Sequence, residues 1–103
     1  MTWDRKRRPT PAGEILLEEF LKPLGITQTN LADQIGVSRV RVNELVKGKR
    51  GVTPDTALRL GKLFDIEPQF WLNIQQAQDL WKAGRDRKVK RALEKITSVA
   101  VAS

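Results

Sequence analysis

The stretch from Thr27 to Lys47 constrains the fold of this chain most. Apolar residues repeat there at helical spacing in two sets, Leu31, Ala32 and Ile35 in the first and Val42, Leu45 and Val46 in the second. Between the sets, Gly36 can take the left-handed backbone conformation that ends a helix, because it has no Cβ to clash. Ser38 follows with a hydroxyl suited to cap the next helix. The stretch therefore predicts two short helices joined by a tight turn.

The outward face of the second predicted helix decides how this pair is interpreted. Apolar spacing alone fits an ordinary helical hairpin as well as a helix-turn-helix motif. The face, however, carries side chains that do nothing for a core, namely Arg39, Val40, Asn43, Glu44 and Lys47. A helix-turn-helix motif presents its second helix to the major groove, where Arg and Asn bond to base edges. We therefore predict base contacts from Ser38, Arg39, Val40, Asn43 and Glu44.

Polar and basic side chains on either side of that face are suited to the DNA backbone. Gln28 lies in the first turn of the first helix, where its amide and the helix N-terminus can both meet a phosphate. After the second helix comes a glycine-hinged basic loop, residues 47–51. The loop is either a solvated turn or a grip on flanking phosphates, and its position favours the second. The predicted phosphate contacts are Gln28, Arg41, Lys47, Lys49 and Arg50.

Composition excludes several classes of function. The chain has 103 residues, of which 40% are hydrophobic, and this suits one compact domain with a modest core. It contains no Cys and no His, so disulfides, the usual zinc sites and His-based catalysis are excluded, and we predict no metal, no cofactor and no enzyme activity. The net charge of +7 favours a polyanionic partner.

Further helices are predicted on both sides of the motif. Their expected positions are Ala12 to Lys22, a helix opened by Thr53-Pro54-Asp55, Gln69 to Ala83 with Gly84 as its end, and Asp86 to Thr97. Residues 97–101 fit either a terminal strand or a frayed tail. The prediction is an all-α, compact bundle of five to six helices. We divide it into a basic N-terminal arm (1–11), a DNA-binding domain (12–83) and a basic amphipathic C-terminal extension (84–103).

The N-terminal arm has two interpretations. Its run Arg5-Lys6-Arg7-Arg8 precedes two prolines that resist helix formation. It is either a solvated tail or an arm that lies on phosphates or in a minor groove. Trp3 in this arm has no explanation from the sequence. Because no apolar run approaches the roughly 18 residues that span a membrane, we expect a cytoplasmic protein.

The helix predicted from Gln69 to Ala83 has more apolar surface than one helix of a small bundle usually buries. Four residues form a stripe predicted to close the core, Phe70, Ile74, Ala77 and Trp81. This leaves Trp71, Leu72 and Leu80 partly spare, and we predict that they form a dimer or partner surface. The alternative, that the bundle wraps them, stays open.

Several short motifs together resemble one family. They are Thr27-Gln28, Leu31-Ala32, Ile35-Gly36-Val37-Ser38-Arg39, Asn43, Gly48-Lys49-Arg50, the run from Thr53 to Leu60, and Phe70-Trp71-Leu72-Asn73. Over Pro11 to Trp81 the chain resembles the HigA-type antitoxins of the Cro/phage-repressor helix-turn-helix superfamily. The segment from Gly48 to Leu60 and the Phe70 to Asn73 segment are the more specific part. Gln78 departs from the pattern, because the family commonly has Tyr before Asp-Leu.

The resemblance implies a lambda-repressor-like fold and a dimeric antitoxin that binds operator DNA and represses its own operon. It also implies a small HigB-type ribonuclease toxin as partner and a place on the nucleoid in the cytoplasm. A stand-alone repressor without a toxin is the alternative. RNA binding is a weaker variant, because the sequence shows no exposed aromatic cluster on which bases would stack.

Overall fold

The computed structural model describes residues 7–100, and all regular structure in that range is helical. The six helices are α1 from Ala12 to Leu24, α2 (Gln28–Ile35), α3 (Arg39–Val46), α4 (Pro54–Phe64), α5 (Pro68–Arg85) and α6 (Arg87–Glu94). The predicted all-α bundle with a helix-turn-helix motif is confirmed. Residues 97–100 form no strand, and position 101 lies outside the described residues.

Local chemistry fixes three of the helix starts as predicted. Thr27 Oγ1 accepts from the Asn30 N–H at 3.0 Å, Ser38 Oγ from the Arg41 N–H at 3.0 Å, and Thr53 Oγ1 from the Thr56 N–H at 3.3 Å. Each hydroxyl satisfies a backbone donor that has no partner inside its own helix. Gly36 ends α2 in the left-handed conformation, with φ 71° and ψ 40°. The turn of the motif is therefore built by residues adjacent to it in the chain.

Two predicted helix ends are wrong by a short distance. Helix α1 continues past Lys22 to Leu24 and contains a π-helical segment, Leu16–Leu21, just before Pro23. Proline has no N–H and crowds the preceding turn of a regular α-helix, so the wider π turn accommodates it. Gly84 lies inside α5, and the break falls at Asp86, whose backbone is extended at φ −70° and ψ 128°. The Asp86 carboxylate then caps α6 through the Lys88 N–H at 2.8 Å.

The core is centred on a tryptophan that the sequence analysis placed at the surface. Trp71 is 0% exposed, whereas Phe70, predicted to close the core, is 39% exposed. The Trp71 ring lies 5.0 Å from the ring centroid of Phe20 on α1 and 6.4 Å from that of Phe64 on α4. Two apolar stripes overlap on α5, and the positions of α1 and α4 decide which one is buried. The other side chains of the core with less than 2% exposure include Leu16, Leu21, Leu31 and Leu60.

Helix α1 crosses the C-terminal end of α3 at very close range. A Cβ added at Gly13 would overlap the carbonyl oxygen of Leu45 and come within 2.9 Å of that of Val46. Only a glycine at this position lets the two backbones meet. The contact holds the end of α3 against the bundle.

The structure describes only the last part of the N-terminal arm. Residues 7–11 are not helical, Arg7 and Arg8 are exposed, and Pro9 is buried. Trp3, Arg5 and Lys6 lie outside the described residues, and the three-part division of the chain stays a prediction. Between residues 7 and 100, no helix combines the length and the apolar character needed to cross a membrane.

Gly13→Ala tests the close contact between α1 and α3. Helix propensity alone would make this change stabilising by about 0.5 to 1 kcal/mol. We expect it instead to lower the free energy of unfolding by about 1 to 3 kcal/mol, because the added methyl group forces two backbones apart. Urea denaturation of both proteins measures the difference. A gain in stability would contradict the contact.

Candidate nucleic-acid interface

Helix α3 has one buried side and one open side. Val42 and Leu45 face the core with 1% and 3% exposure. On the opposite side Val40 is 66% exposed, and Arg39 is exposed as well. Together these two side chains leave one side of α3 outside the core. The open side of α3 is therefore the candidate contact surface.

An open depression of about 570 Å³ follows the first turns of α2 and α3 and is lined by Gln28, Thr29, Ser38, Arg39, Val40 and Asn43. It brings together four of the five residues predicted to contact bases and one predicted to contact a phosphate. Asn43 Nδ2 donates to Gln28 Oε1 at 3.1 Å. This bond holds the two side-chain amides side by side. It leaves the side-chain oxygen of Asn43 (Oδ1) and the side-chain nitrogen of Gln28 (Nε2) available for a ligand.

Two predicted contacts are paired with each other. Arg50 donates from Nε and Nη2 to Glu44 Oε1, at 3.2 and 3.0 Å. The Glu44 carbonyl oxygen also accepts from the backbone N–H groups of Lys49 and Arg50. The base contact of Glu44 and the phosphate contact of Arg50 stay predictions, and in this structure the two side chains fold the basic loop back onto α3. The reason is that the loop turns at Gly48, which has a φ of 77°.

Lys47 and Lys49 are the cations of the basic loop that remain available. Both are exposed. Neither makes an ion pair with any residue between 7 and 100. Gln75 on α5 holds the chain just after this loop, because its Oε1 accepts from the Val52 N–H at 2.8 Å. Two ammonium groups that have no ion pair among residues 7–100 are thus presented at the C-terminal end of α3.

Arg41 lies on α3, and its guanidinium is directed at α4. Its Nη2 donates to Asp55 Oδ1 at 2.8 Å and to Thr56 Oγ1 at 2.8 Å, and its side chain is only 27% exposed. The predicted phosphate contact is based on the charge of Arg41 alone. Charge does not indicate that Arg41 bonds to the carboxylate of Asp55, fourteen residues further along the chain.

The predicted partner surface is reduced to one residue. Trp71 is buried, as described above, and Leu72 is half-buried against the core. Leu80 is 51% exposed. It borders an apolar depression of about 180 Å³ between α5 and α6, lined also by Ala83, Gly84, Val89 and Leu93. An apolar surface therefore exists, but further along α5 than expected.

With this geometry, a family assignment can be made. The model of the helix-turn-helix family matches residues 17–71, which is more than half of the chain. The uncharacterized HTH-type transcriptional regulator YbaQ of Escherichia coli is 40% identical over 94 residues, covering 91% of this chain and 83% of that protein. This chain belongs to the helix-turn-helix family.

The predicted resemblance to HigA-type antitoxins is confirmed as well. Antitoxin HigA-1 of Vibrio cholerae is 49% identical over 77 residues, covering 74% of this chain and 71% of that protein. A solved structure of the Pseudomonas aeruginosa antitoxin HigA with the higBA promoter superposes with a TM-score of 0.84 at 38% identity, covering 90% of this chain and all of that one. Among helix-turn-helix proteins, this chain is therefore similar to antitoxins over nearly its whole length.

The sequence analysis missed residues that shape this surface from outside the motif. Asp55 Oδ1 accepts from Arg59 Nε at 2.7 Å as well as from Arg41. Arg59 Nη1 in turn donates to the carbonyl oxygen of Ile35, at the end of α2. The spacing of Asp55 and Arg59, an acid four residues before a base, was a visible signal for the first contact. No comparable spacing signals the contacts to Arg41 and Ile35.

The two arginines also change the ionisation of Asp55. Hydrogen bonds from Arg59, and then from Arg41, lower the pKa of this carboxyl below its ordinary value, because they favour the charged form. A lowered pKa in the folded state means that ionised Asp55 stabilises the fold at neutral pH. That contribution is present well above the ordinary pKa of 3.8, shrinks as the pH falls below it, and is lost as the pH falls through the lowered folded pKa.

Asp55→Asn tests this dependence. We expect it to lower the melting temperature at about pH 7 more than at about pH 3, because below the ordinary pKa of 3.8 the unfolded wild-type chain binds a proton at Asp55 more readily than the folded one. Asp33→Asn is the matched control, since Asp33 is exposed on α2 and makes no ion pair within residues 7–100. Thermal unfolding followed by circular dichroism gives the comparison. Equal decreases in the melting temperature of Asp55→Asn at both pH values would contradict an ionic contribution of Asp55 to stability.

Proposed function

We propose that this chain is an antitoxin that binds operator DNA as a dimer, represses its own operon and neutralises a small HigB-type ribonuclease toxin. The observation that carries the DNA-binding part is the open side of α3, where Arg39, Val40 and Asn43 stand free of the core. We refer to α3 as the recognition helix. The likeness to an antitoxin solved with promoter DNA supports the same reading. Such a protein acts in the cytoplasm, at the DNA it represses.

The recognition helix reads bases through three side chains at its start. Arg39 makes a bidentate contact with a guanine, and Val40 packs on a thymine methyl group. Asn43 accepts a hydrogen bond from a base edge with its side-chain Oδ1, which its contact with Gln28 leaves available. The Ser38 Oγ caps the helix by accepting from the Arg41 N–H, and its hydroxyl hydrogen can still donate to a base edge.

The DNA backbone is held on both sides of the recognition helix. Gln28 and the N-terminus of α2 meet a phosphate at one side. Lys47 and Lys49 meet phosphates at the other, and Glu44 keeps the basic loop in position through Arg50. These contacts fix the register of the protein on DNA without reading sequence.

A second copy of the chain covers Leu80. Its half-exposed side chain and the adjoining apolar depression between α5 and α6 leave apolar surface that a dimer would remove from water. A two-fold dimer places two recognition helices in successive major grooves, about 34 Å apart. The operator is then a pair of inverted half-sites.

Arg39→Ala tests base reading. We expect a loss of about 1 to 3 kcal/mol on the operator and a relaxed preference at one base pair, because a bidentate contact is removed. The measurement is fluorescence anisotropy with the promoter fragment and a set of single-base variants. Equal weakening on every sequence would show that Arg39 does not read a base.

Lys49→Ala tests the backbone contact and serves as the comparison for Arg39. Removal of one phosphate contact should weaken binding to all sequences and reduce the slope of log K against log salt by about one unit. The same anisotropy titrations at four salt concentrations give the slope. An unchanged slope would place Lys49 away from the phosphates.

The toxin partner separates the proposed function from a second candidate, a stand-alone repressor. The second candidate is favoured by the relative YbaQ, which is described only as a transcriptional regulator. We would express the C-terminally tagged chain with its flanking genes, purify it at about 1 M salt to suppress bridging by nucleic acid, and weigh what remains bound. A stoichiometric small protein that stops growth when expressed alone is expected. A bare homodimer that still binds its promoter would favour the repressor.

A further inference from the structure

Ion pairs and hydrogen bonds join α4 to both helices of the motif. Asp55 Oδ1 accepts from Arg41 Nη2 at 2.8 Å and from Arg59 Nε at 2.7 Å. Arg41 lies in the first turn of the recognition helix, whereas Asp55 and Arg59 lie one turn apart on α4. One carboxylate oxygen thus ties the start of the recognition helix to the neighbouring helix.

The other end of Arg59 reaches the turn of the motif. Its Nη1 donates to the carbonyl oxygen of Ile35 at 2.6 Å and approaches that of Gly36 at 3.4 Å. Carbonyl groups at the end of a helix have no partner within it, and a cation there complements the helix dipole. The same guanidinium therefore holds the end of α2 and, through Asp55, the start of the recognition helix.

We propose that Asp55 and Arg59 are positioning residues that set the angle between α2 and the recognition helix, and that Arg41 belongs to this brace rather than to the phosphate contacts. The brace is the set Asp55, Arg41 and Arg59. The inference rests on the proposed function, because the angle matters only if the recognition helix enters a groove. According to this proposal, Asp55 and Arg59 help to decide which DNA sequence is bound, although neither touches DNA.

The packing around Arg41 supports its place in the brace. The Arg41 Nη2 is shared between Asp55 and Thr56 Oγ1, and Thr56 is 3% exposed. A swing of Arg41 toward a phosphate would break both bonds at once. It would also leave Arg59 as the remaining partner of the Asp55 carboxylate within residues 7–100.

Asp55→Asn distinguishes the brace from simple electrostatics, because the two predict opposite signs. If only charge mattered, loss of a carboxylate and release of Arg41 would strengthen binding to every sequence. The brace predicts that affinity for the promoter fragment falls about five- to tenfold, the size expected for partly exposed charged hydrogen bonds. Affinity for a shuffled duplex of the same composition should stay equal or rise. The ratio of the two affinities is the measured quantity.

Two further variants remove charge as an explanation. Arg59→Lys keeps the net charge, but one ammonium group cannot replace a guanidinium that reaches both Asp55 and Ile35 from separate nitrogens. We expect the same fall in the affinity ratio. Asp33→Asn makes the charge change of Asp55→Asn outside the brace, and its ratio should match the wild type.

A measurement without DNA separates failure of the brace from failure of the proposed function. The Val37 N–H donates to the Ala32 carbonyl oxygen at 3.0 Å, and the Val42 N–H to that of Ser38 at 3.2 Å. Hydrogen exchange at these amides should become several-fold faster in Asp55→Asn and Arg59→Lys than in Asp33→Asn. If Asp55→Asn does not fold, Arg59→Lys decides.

Unchanged exchange and an unchanged affinity ratio in folded Arg59→Lys would overturn the brace. If the wild type itself does not distinguish the promoter from the shuffled duplex, the proposed function fails. In that case the hydrogen-exchange rates by themselves show whether the brace holds the two helices.

Discussion

The recognition helix is held mainly at its two ends. Its buried side chains are only Val42 and Leu45, because a helix that presents one side to a ligand has little left to bury. Its last turn meets α1 across Gly13, where no Cβ fits. Its first turn is tied to α4 through Arg41 and Asp55. The angle of this helix, and with it the whole contact surface, depends on these two end contacts.

Ion pairs divide the positively charged side chains near the recognition helix into two groups, those that hold the structure together and those that stay exposed. Arg41 and Arg59 hold helices together, and Arg50 folds the basic loop onto Glu44. Lys47 and Lys49 make no ion pair within residues 7–100 and remain exposed. The net charge of +7 already subtracts the paired carboxylates, so it does not show which cations this surface offers to a polyanion. What it offers is concentrated at the two ends of the recognition helix, which suits a backbone contact on each side of a groove.

Helix α5 has two parts with different roles. With 18 residues it is about 27 Å long, well beyond the 11-residue α4 against which it packs. Its first half inserts Trp71 between Phe20 and Phe64 and completes the core. Its second half buries Gln78 and carries α6, whereas Leu80, on another side of the helix, stays half exposed. A helix longer than its neighbours gives a small domain an apolar surface without weakening its core.

Most features that depend on neighbours in the chain followed from the sequence alone, although the ends of α1 and α5 did not. Caps at Thr27, Ser38 and Thr53 join a hydroxyl to an amide three residues away, and Gly36 needs only its own lack of a side chain. The family resemblance also came from the sequence, because contiguous motifs carry it. Only the tertiary structure decided that Trp71 is buried, that Arg41 bonds to Asp55 and that Glu44 bonds to Arg50. Which side of α5 faces inward, and which carboxylate an arginine meets, depends on how separate helices cross, and helical spacing does not contain that information.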